Sequence, residues 1–381
     1  TQLLSKQQMV SDNLQRIGGI DLNDVEILPI AASENQFFYR NKLEYTFSNR
    51  RWFVGNEERN SQNNALGFHI PAMFDRVLDI DECLLQPEPS NKIRNFIKDY
   101  ALKNELTFYD VKNHTGFLRN IIIRNNEKGE VMLIVVFREE IVEEIEKLTK
   151  IVKGNFPEIT SLHYVINTKL NDTIGDLDIV CYSGKNCIIE EYCTEKHNNT
   201  FLRFKIGAKS FFQTNTRQAE KLYSIAKEFA ELQGNEIVYD LYTGCGTIAQ
   251  FVADKAKKVV GIEYVDTAIA DAKENAELNG IVNCEFFAGD MSKVLTDDFI
   301  AKHSKPDVLI TDPPRAGMNP DVVAQILKVK PQKIVYISCN SATQARDIAM
   351  LKSAYKIVKS QAVDMFPQTH HIENVVKLEI R

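Results

Sequence analysis

The chain has 381 residues, of which 44% are hydrophobic, and because domains typically contain roughly 100 to 200 residues this length predicts two domains. The formal net charge of −6 argues against binding of nucleic acid through overall charge, although it permits a local basic face. The sequence contains no run near the roughly 18 apolar residues of a membrane span and no stretch like a signal peptide, so it predicts a soluble, cytoplasmic protein.

The chain opens with a helical pattern, QLLSKQQMVSDNLQRIGG, which is expected to end at Gly18 and Gly19. The first residue is Thr1 instead of Met, from which we expect a fragment or a processed chain.

Residues 1–205 predict an α+β domain, in which strand-like segments are mixed with two amphipathic helices, NKIRNFIKDYALKN and IVEEIEKLTKIVKGNF. The strand-like segments are YRNKLEYTFSNRRWFVG, LTFYDVK, GFLRNIIIRNN and EVMLIVVF. Basic and aromatic residues are interleaved here, which fits either an RNA-recognition face or an ordinary solvated sheet face. These residues are Arg40, Lys42, Arg50, Arg51, Tyr39, Tyr45 and Trp52.

Residues 206–381 show a more regular pattern, in which short apolar runs alternate with helical segments. The runs are EIVYDLY, KVVGIEY, CEFFAGD, DVLITDPP and KIVYISC. Continuous apolar runs indicate strands buried on both faces, so this half predicts a Rossmann-like, doubly wound α/β sheet. Two final segments, YKIVKSQAV and NVVKLEI, have no helix between them and predict an antiparallel hairpin at the sheet edge.

A glycine-rich turn, DLYTGCGT, follows the first of these runs and opens a helix. Gly244 and Gly246 permit a tight turn that a ligand can approach, and Glu263 at the tip of the second strand is placed to bind ribose hydroxyls. Asp290, after the third strand, is placed to reach an adenine amino group. Since the third glycine of the dinucleotide motif is missing, S-adenosylmethionine fits this pattern better than a dinucleotide; a plain α/β domain is the alternative.

Asp312 begins the segment DPPR at the end of the fourth strand, and the two prolines make this loop rigid. Similar loops occur in methyltransferases that act on exocyclic nitrogens, where the fourth residue is aromatic. Arg315 occupies that position here, which disfavours methylation of an amino group.

Cys339 lies at the tip of the fifth strand, between Ser338 and Asn340. A cysteine in the core would be inert. Cys339 lies instead at the sheet edge and before a helix N-terminus, which is expected to lower its pKa, so it is a candidate nucleophile. Glu373, which begins the last strand with His371 two residues before it, is a candidate acid–base partner.

Six ordered motifs carry a resemblance to a known family: SFFQTN (210–215), DLYTGCGT (240–247), VVGIE (259–263), DPPRAG (312–317), SCNSAT (338–343) and DMFPQTHHIENV (364–375). They resemble those of the RNA uracil-5-methyltransferases, which methylate C5 of uridine in ribosomal RNA or in the T-loop of tRNA. In the first half, YRNKLEY and LRNIIIR resemble the central domain of that family.

The resemblance implies that Cys339 adds to C6 of the base and that Glu373 later removes the C5 proton. It also implies that S-adenosylmethionine is bound by Gln213, Tyr242, Glu263 and Asp312, to which Asp290 and Thr247 are added as further candidates. The implied partner is RNA, with 23S ribosomal RNA favoured over tRNA, and we expect a monomer that flips its target uridine out of the stack.

The sequence departs from the family pattern at a metal site. Many members hold a four-iron, four-sulfur cluster with four cysteines, and only Cys83, in DIDECLLQ, matches one of them, so no cluster is expected in this chain, although a longer form would allow one. Three further cysteines are evenly spaced, but DIVCYSGKNCIIEEYC predicts a hairpin with SGKN as its turn and not a zinc site. These are Cys181, Cys187 and Cys193.

Two other functions compete with this interpretation. A non-catalytic RNA-binding protein with a methyltransferase fold would not need both Cys339 and Glu373, which are present. A methyltransferase for a small molecule would have no use for the basic and aromatic residues of the first half.

Overall fold

The computed structural model describes residues 1–55, 57, 63–195 and 200–381. The helices of these residues are α1 (Gln2–Arg16), α2 (Ser90–Lys103), α3 (Val142–Asn155), α4 (Thr216–Ala230), α5 (Thr247–Val252), α6 (Asp266–Leu278), α7 (Met291–Val294), α8 (Asp297–His303), α9 (Pro320–Val329) and α10 (Ser341–Leu351). The strands are β1 (Glu26–Ala31), β2 (Lys42–Ser48), β3 (Arg51–Trp52), β4 (Ala65–Ile70), β5 (Met73–Asp79), β6 (Leu118–Asn125), β7 (Val131–Phe137), β8 (Ile159–Ile166), β9 (Ile179–Gly184), β10 (Cys187–Glu195), β11 (Thr200–Gly207), β12 (Ile237–Leu241), β13 (Lys258–Glu263), β14 (Cys284–Ala288), β15 (Val308–Thr311), β16 (Lys333–Ser338), β17 (Tyr355–Val363) and β18 (Glu373–Ile380).

The chain forms two compact units whose boundaries differ from a single division after residue 205. The larger unit contains Thr1–Gln36, Glu191–Phe204 and Ser210–Arg381, and the smaller unit contains Phe37–Glu190 and Lys205–Lys209. The sequence-based domain boundary placed residues 1–36 with the first domain. In the structure they belong to the larger unit, because α1 and β1 pack against its sheet.

The larger unit is built on an eight-stranded sheet in the order β1-β17-β18-β16-β15-β12-β13-β14. Strands β12 to β16 pair in parallel, and the chain proceeds from β12 outward to β14 before it returns to β15 on the other side of β12. This is the predicted doubly wound arrangement. Its topological switch point, where ligands bind in such folds, lies between β12 and β15.

The closing strands β17 and β18 form the predicted antiparallel hairpin, but the hairpin does not lie at the sheet edge. β18 pairs antiparallel with β16, and β1 pairs in parallel with β17 and takes the edge position. Pro29 in β1 is compatible with this place, because an edge strand needs fewer backbone donors. The same proline and the short length of the segment concealed β1 in the sequence.

Both faces of this sheet are covered by helices. Ile334 and Tyr336 of β16 join a core cluster that includes residues of α1, α9 and α10. The alternating residues Val335 and Ile337 are also buried, on the face where α4 packs against β16. Two-sided burial explains why the strands read as continuous apolar runs.

The smaller unit has its own eight-stranded sheet, in the order β3-β5-β4-β2-β6-β7-β8-β9, and α2 and α3 contribute to its core. The predicted strand LTFYDVK is wrong, since residues 106–112 make only isolated bridges, Phe108 with Leu118 and Asp110 with Thr115. The hairpin predicted within residues 178–193 is also wrong. β9 pairs with β8, and β10 pairs with β11 in a separate two-stranded sheet.

Over the described ranges of the chain, the helices are too short or too polar to cross a membrane.

We expect Leu14→Ala to destabilise the larger unit by about 2 to 5 kcal/mol, because it removes a fully buried side chain from the core shared by α1 and the sheet. Urea denaturation and hydrogen exchange of the 2–16 segment measure this loss. Leu4→Ala is the matched control, since Leu4 is 74% exposed. Equal effects of the two substitutions would contradict the packing of α1 in this unit.

Candidate active site

The carboxyl ends of the parallel strands place most of the predicted site residues at one edge of the larger unit's sheet. β13 ends at Glu263, Tyr242 follows β12, Asp312 follows β15 and Cys339 follows β16. Because parallel strands present their carboxyl ends to the same side, these residues surround the topological switch point.

The glycine-rich turn after β12 is held by Asp240, which lies at the end of that strand. The carboxylate of Asp240 accepts hydrogen bonds from the Thr243 hydroxyl and from the Ala249 backbone N–H, at 3.0 Å. Burial raises the pKa of Asp240 to about 7. The turn places Tyr242 and Gly246 at positive φ angles of 63° and 79°, and this backbone conformation favours glycine at the second position.

Glu263 closes the same turn from the neighbouring strand. Its carboxylate accepts hydrogen bonds from Gly244 N (3.1 Å) and Val265 N (3.0 Å). A Cβ atom added at Gly244 would meet no atom within 4 Å, so the turn borders open space beside this carboxylate. An acidic group next to an open glycine turn fits the ribose end of a nucleoside cofactor.

The other predicted cofactor residues differ in their surroundings. Asp290 caps α7 and accepts from the Ser292 hydroxyl (2.7 Å), a contact that lowers the pKa of Asp290. Burial raises the pKa of Tyr242 to about 12, so its phenol stays neutral. Thr247 begins α5, and its hydroxyl opposes the rise that burial causes in the pKa of Tyr223.

Gln213 lies in the segment that leads into α4. Residues that follow Gln213 contact the loop before Glu373. Two residues later, Asn215 caps α4 and donates a hydrogen bond to the backbone carbonyl of Met365 at 2.8 Å. Gln218 in the first turn of α4 donates to the Asp364 carbonyl at 3.0 Å. The predicted motif around Gln213 is therefore fastened to the loop that precedes Glu373.

Cys339 and Glu373 are brought together by the pairing of β16 with β18. Ser338 lies opposite Asn374 in this antiparallel pair, so Cys339 and Glu373 occupy the next position on the two adjacent strands. Residues opposite each other in such a pair have Cα atoms roughly 5 Å apart. The predicted nucleophile and the predicted base therefore lie side by side, and Glu373 is buried.

The prediction that a helix N-terminus lowers the pKa of Cys339 is wrong. Burial, with Glu373 and Asp312 nearby, raises the pKa of the thiol to about 11. Two of the free N–H groups at the start of α10 donate to the side chain of Asn340, from Ala342 N and Thr343 N. The start of the helix is thus capped by the residue that follows Cys339.

Two carboxyl groups, the buried Glu373 and the half-buried Asp312, share this site. Burial raises the pKa of Glu373 well above its usual value, and Asp312 adds to the effect. Burial, with a contribution from Asp240, raises the pKa of Asp312 to about 7. Arg315 acts in the opposite direction, since its charge lowers the pKa of both Glu373 and Cys339. A carboxylate with a raised pKa is a strong base once it is ionised.

The loop that carries Asp312 and Arg315 is held by a residue that sequence reasoning missed. Asp347 of α10 accepts hydrogen bonds from Met318 N (2.7 Å) and from the Tyr336 hydroxyl (2.6 Å). The Arg315 carbonyl also accepts from Asn340 Nδ2 at 3.1 Å, which joins this loop to the one that carries Cys339. In the sequence Asp347 is one charge in a helical segment, which is indistinguishable from a solvated position.

Cys83, the residue that matches an iron–sulfur ligand, is buried and lies in the smaller unit. The side chain of Asn91 is hydrogen-bonded to both its backbone N–H and its carbonyl. Within residues 1–55, 57, 63–195 and 200–381, no three histidine, cysteine or acidic side chains converge as metal ligands. Since a cluster needs four thiolates, these residues do not fit one.

Comparisons with known proteins show which family this chain is similar to. A family model described as tRNA (uracil-5-)-methyltransferase matches residues 161–381. An uncharacterized RNA methyltransferase of Bacteroides thetaiotaomicron is 53% identical and covers 100% of this chain and 83% of its own length. Another, from Chlorobaculum tepidum, is 38% identical over 99% of this chain and 78% of its own length.

A solved structure is similar along nearly the whole chain. It is that of Pyrococcus abyssi tRNA (uracil-54, C5)-methyltransferase in complex with S-adenosyl-L-homocysteine, with a TM-score of 0.76 and 28% identity. The match covers 99% of this chain and 83% of that one.

We expect Arg315→Met to slow the alkylation of Cys339 by iodoacetamide between pH 7 and 10. Arg315 lowers the pKa of this thiol, so its loss raises that pKa and reduces the thiolate fraction at each pH below it. Mass spectrometry of the peptide that contains Cys339 measures the rate. Arg16→Met, at an exposed position on α1, is the control, and an unchanged or faster rate in Arg315→Met would contradict the electrostatic role.

Proposed function

The chain belongs to the tRNA (uracil-5-)-methyltransferase family and is an S-adenosylmethionine-dependent RNA methyltransferase, and we propose that it methylates C5 of a uridine through a covalent bond from Cys339. The observation that carries this proposal is the register of β16 against β18, which sets Cys339 beside Glu373. A nucleophile and a buried base at adjacent positions are the two groups that this chemistry requires.

Cys339 supplies the first step. C5 of uracil is a poor nucleophile, and addition of the thiolate to C6 moves the electrons of the C5–C6 double bond toward O4, so that C5 gains nucleophilic character. Bound S-adenosylmethionine supplies the methyl group that C5 takes. Because burial raises the pKa of Cys339 to about 11, the thiol must first lose its proton to a basic group of the site or to water.

Glu373 supplies the second step. After methylation C5 carries both the methyl group and its original proton. The Glu373 carboxylate removes that proton, the C5–C6 double bond forms again, and the bond from C6 to the cysteine sulfur breaks. The raised pKa of Glu373 makes its ionised form a stronger base for this transfer.

The cofactor is assigned to the edge between β12 and β13. Glu263 is the group for the ribose hydroxyls, and Asp290 is the group for the adenine amino group. Gln213, Tyr242 and Asp312 are proposed as further cofactor contacts, with Thr247 at the start of α5 as an additional candidate, and Asp312 is the one of these near Cys339. The open space beside Gly244 and the acidic group of Glu263 support this assignment.

The target uridine must leave its stack to reach Cys339, so base flipping belongs to the proposal. The favoured substrate is 23S ribosomal RNA, as expected from the sequence, with the protein acting as a monomer in the cytoplasm. The T-loop of tRNA is the second candidate, and the similarity to the Pyrococcus abyssi enzyme named for uracil-54 of tRNA favours it.

We expect Cys339→Ala to abolish methylation and to form no adduct with RNA that contains 5-fluorouridine. Fluorine cannot be removed from C5 as a proton is, so the wild-type protein should remain attached to such RNA. Denaturing gel electrophoresis with labelled RNA measures the adduct. Cys284→Ala is the matched control, because Cys284 lies in β14, away from β16 and β18. An adduct that survives in Cys339→Ala would disprove the covalent role.

The RNA itself is identified by mapping 5-methyluridine in total RNA from a strain that lacks this gene. We expect one uridine to lose its methyl group in 23S ribosomal RNA, and a loss at the tRNA T-loop would select the second candidate. The purified chain should restore the missing modification with S-adenosylmethionine. A full set of 5-methyluridines in both RNAs of the deletion strain would contradict the proposal.

A further inference from the structure

One face of α1 contacts the loops that carry both proposed catalytic residues. Gln2 accepts a hydrogen bond from Gln368 N at 3.2 Å, and Lys6, one turn later, contacts residues of the same loop. Asn13, farther along the helix, donates to the Ser341 hydroxyl at 2.8 Å, two residues after Cys339. Residues spaced by three or four positions share a face of a helix, so these contacts form one stripe.

Lys6 makes the strongest of these contacts. It is 4% exposed, and its ammonium group lies 2.5 Å from Asp364 Oδ1 and 3.1 Å from the Phe366 carbonyl. Asp364 is also buried. Lys6 therefore contacts both Asp364 and Phe366 at the start of the 364–372 loop, and this loop ends directly before Glu373.

A continuous set of hydrogen bonds leads from Lys6 toward Glu373. The Phe366 carbonyl that accepts from Lys6 also accepts from the Thr369 hydroxyl at 2.7 Å. The same hydroxyl oxygen accepts from His371 N at 3.2 Å, two residues before Glu373. A displacement of the Phe366 carbonyl is thereby transmitted to the backbone that sets the position of the carboxylate.

We propose that α1 is a positioning helix for the catalytic loops and that Lys6 is the residue through which it sets the position of Glu373. This inference rests on the proposed role of Glu373 as the base. Lys6 acts through the 364–372 loop and does not touch the reacting atoms. A buried ion pair is often no more stabilising than a packed apolar pair. We therefore assign to the Lys6–Asp364 pair a geometric effect on the loop and not mainly a gain in stability.

The experiment compares Lys6→Met with Glu373→Gln, using total RNA from the deletion strain as substrate. We expect Lys6→Met to lower kcat by at least about tenfold, as small misplacements of catalytic groups do, with little change in KM for S-adenosylmethionine. Both variants should accumulate the covalent adduct of protein and methylated RNA, because removal of the C5 proton is the slowed step. Gln8→Met, on the exposed side of α1, is the matched control and should behave as wild type.

A second variant separates positioning from folding. Lys6→Met leaves Asp364 buried without its partner and lowers stability, whereas Lys6→Met combined with Asp364→Leu replaces the pair by apolar groups and should regain stability. The double variant should still have a low kcat and should still accumulate adduct. Recovery of kcat together with the urea midpoint would show that Lys6 is merely structural and would overturn the inference.

Two further outcomes separate the role of Lys6 from the proposed function. An adduct that accumulates in Glu373→Gln but not in Lys6→Met would overturn the role of Lys6 and leave the proposed function intact. No adduct in either variant would contradict the proposed role of Glu373 as the base, and the inference would fail with it.

Discussion

The register between β16 and β18 is the constraint on which the site depends. A slip of one residue would turn Glu373 to the opposite face of the sheet, because side chains alternate along a strand. A buried polar network next to the site fixes this register. The Asn374 and Gln344 side chains are hydrogen-bonded to each other (2.8 Å), Gln344 donates to the carbonyls of Tyr336 and Asn374, and Ser360 donates to Asn374 Oδ1 at 3.1 Å. The three bonds that involve Asn374 are lost if β18 shifts, so the network penalises the alternative pairings.

Burial of this site has an electrostatic consequence. It raises the pKa of Cys339, Glu373 and Asp312 together, which favours the protonated forms of Cys339 and Glu373 near neutral pH. Arg315 opposes this effect at Cys339 and Glu373, and a positively charged cofactor at the same edge would oppose it further. Positive charge at this edge therefore favours the ionised forms of the groups to which the proposal assigns chemistry.

The sequence predicted the central strands and the residues at their tips, because two-sided burial gives unmistakable apolar runs and parallel strands end at one edge. It could not predict what tertiary contacts decide. Residues 178–193 have the local pattern of a hairpin, yet β9 and β10 pair with other strands. The pKa of Cys339 depends on burial and on the nearby Glu373 and Asp312, and the position before a helix shows neither. Lys6 looks like an ordinary helical lysine because its partner is 358 residues away in the chain.

Lys6 and Asp364 come from opposite ends of the chain and both belong to the larger unit, which is therefore discontinuous in sequence. β1 pairs with β17 and forms the edge of the sheet, and α1 packs on the core beside α10. The beginning of the chain thus completes a sheet whose other strands come from the second half of the chain. Contacts between residues this distant in sequence carry an entropic cost of loop closure that contacts between neighbouring elements do not. The central strands pair with strands that are close to them in sequence, whereas the loop before Glu373 has its buried partner, Lys6, in α1. The cofactor edge and the proposed catalytic carboxylate are therefore built by different parts of the chain, since the loop before Glu373 is held by α1 from the opposite end of the sequence.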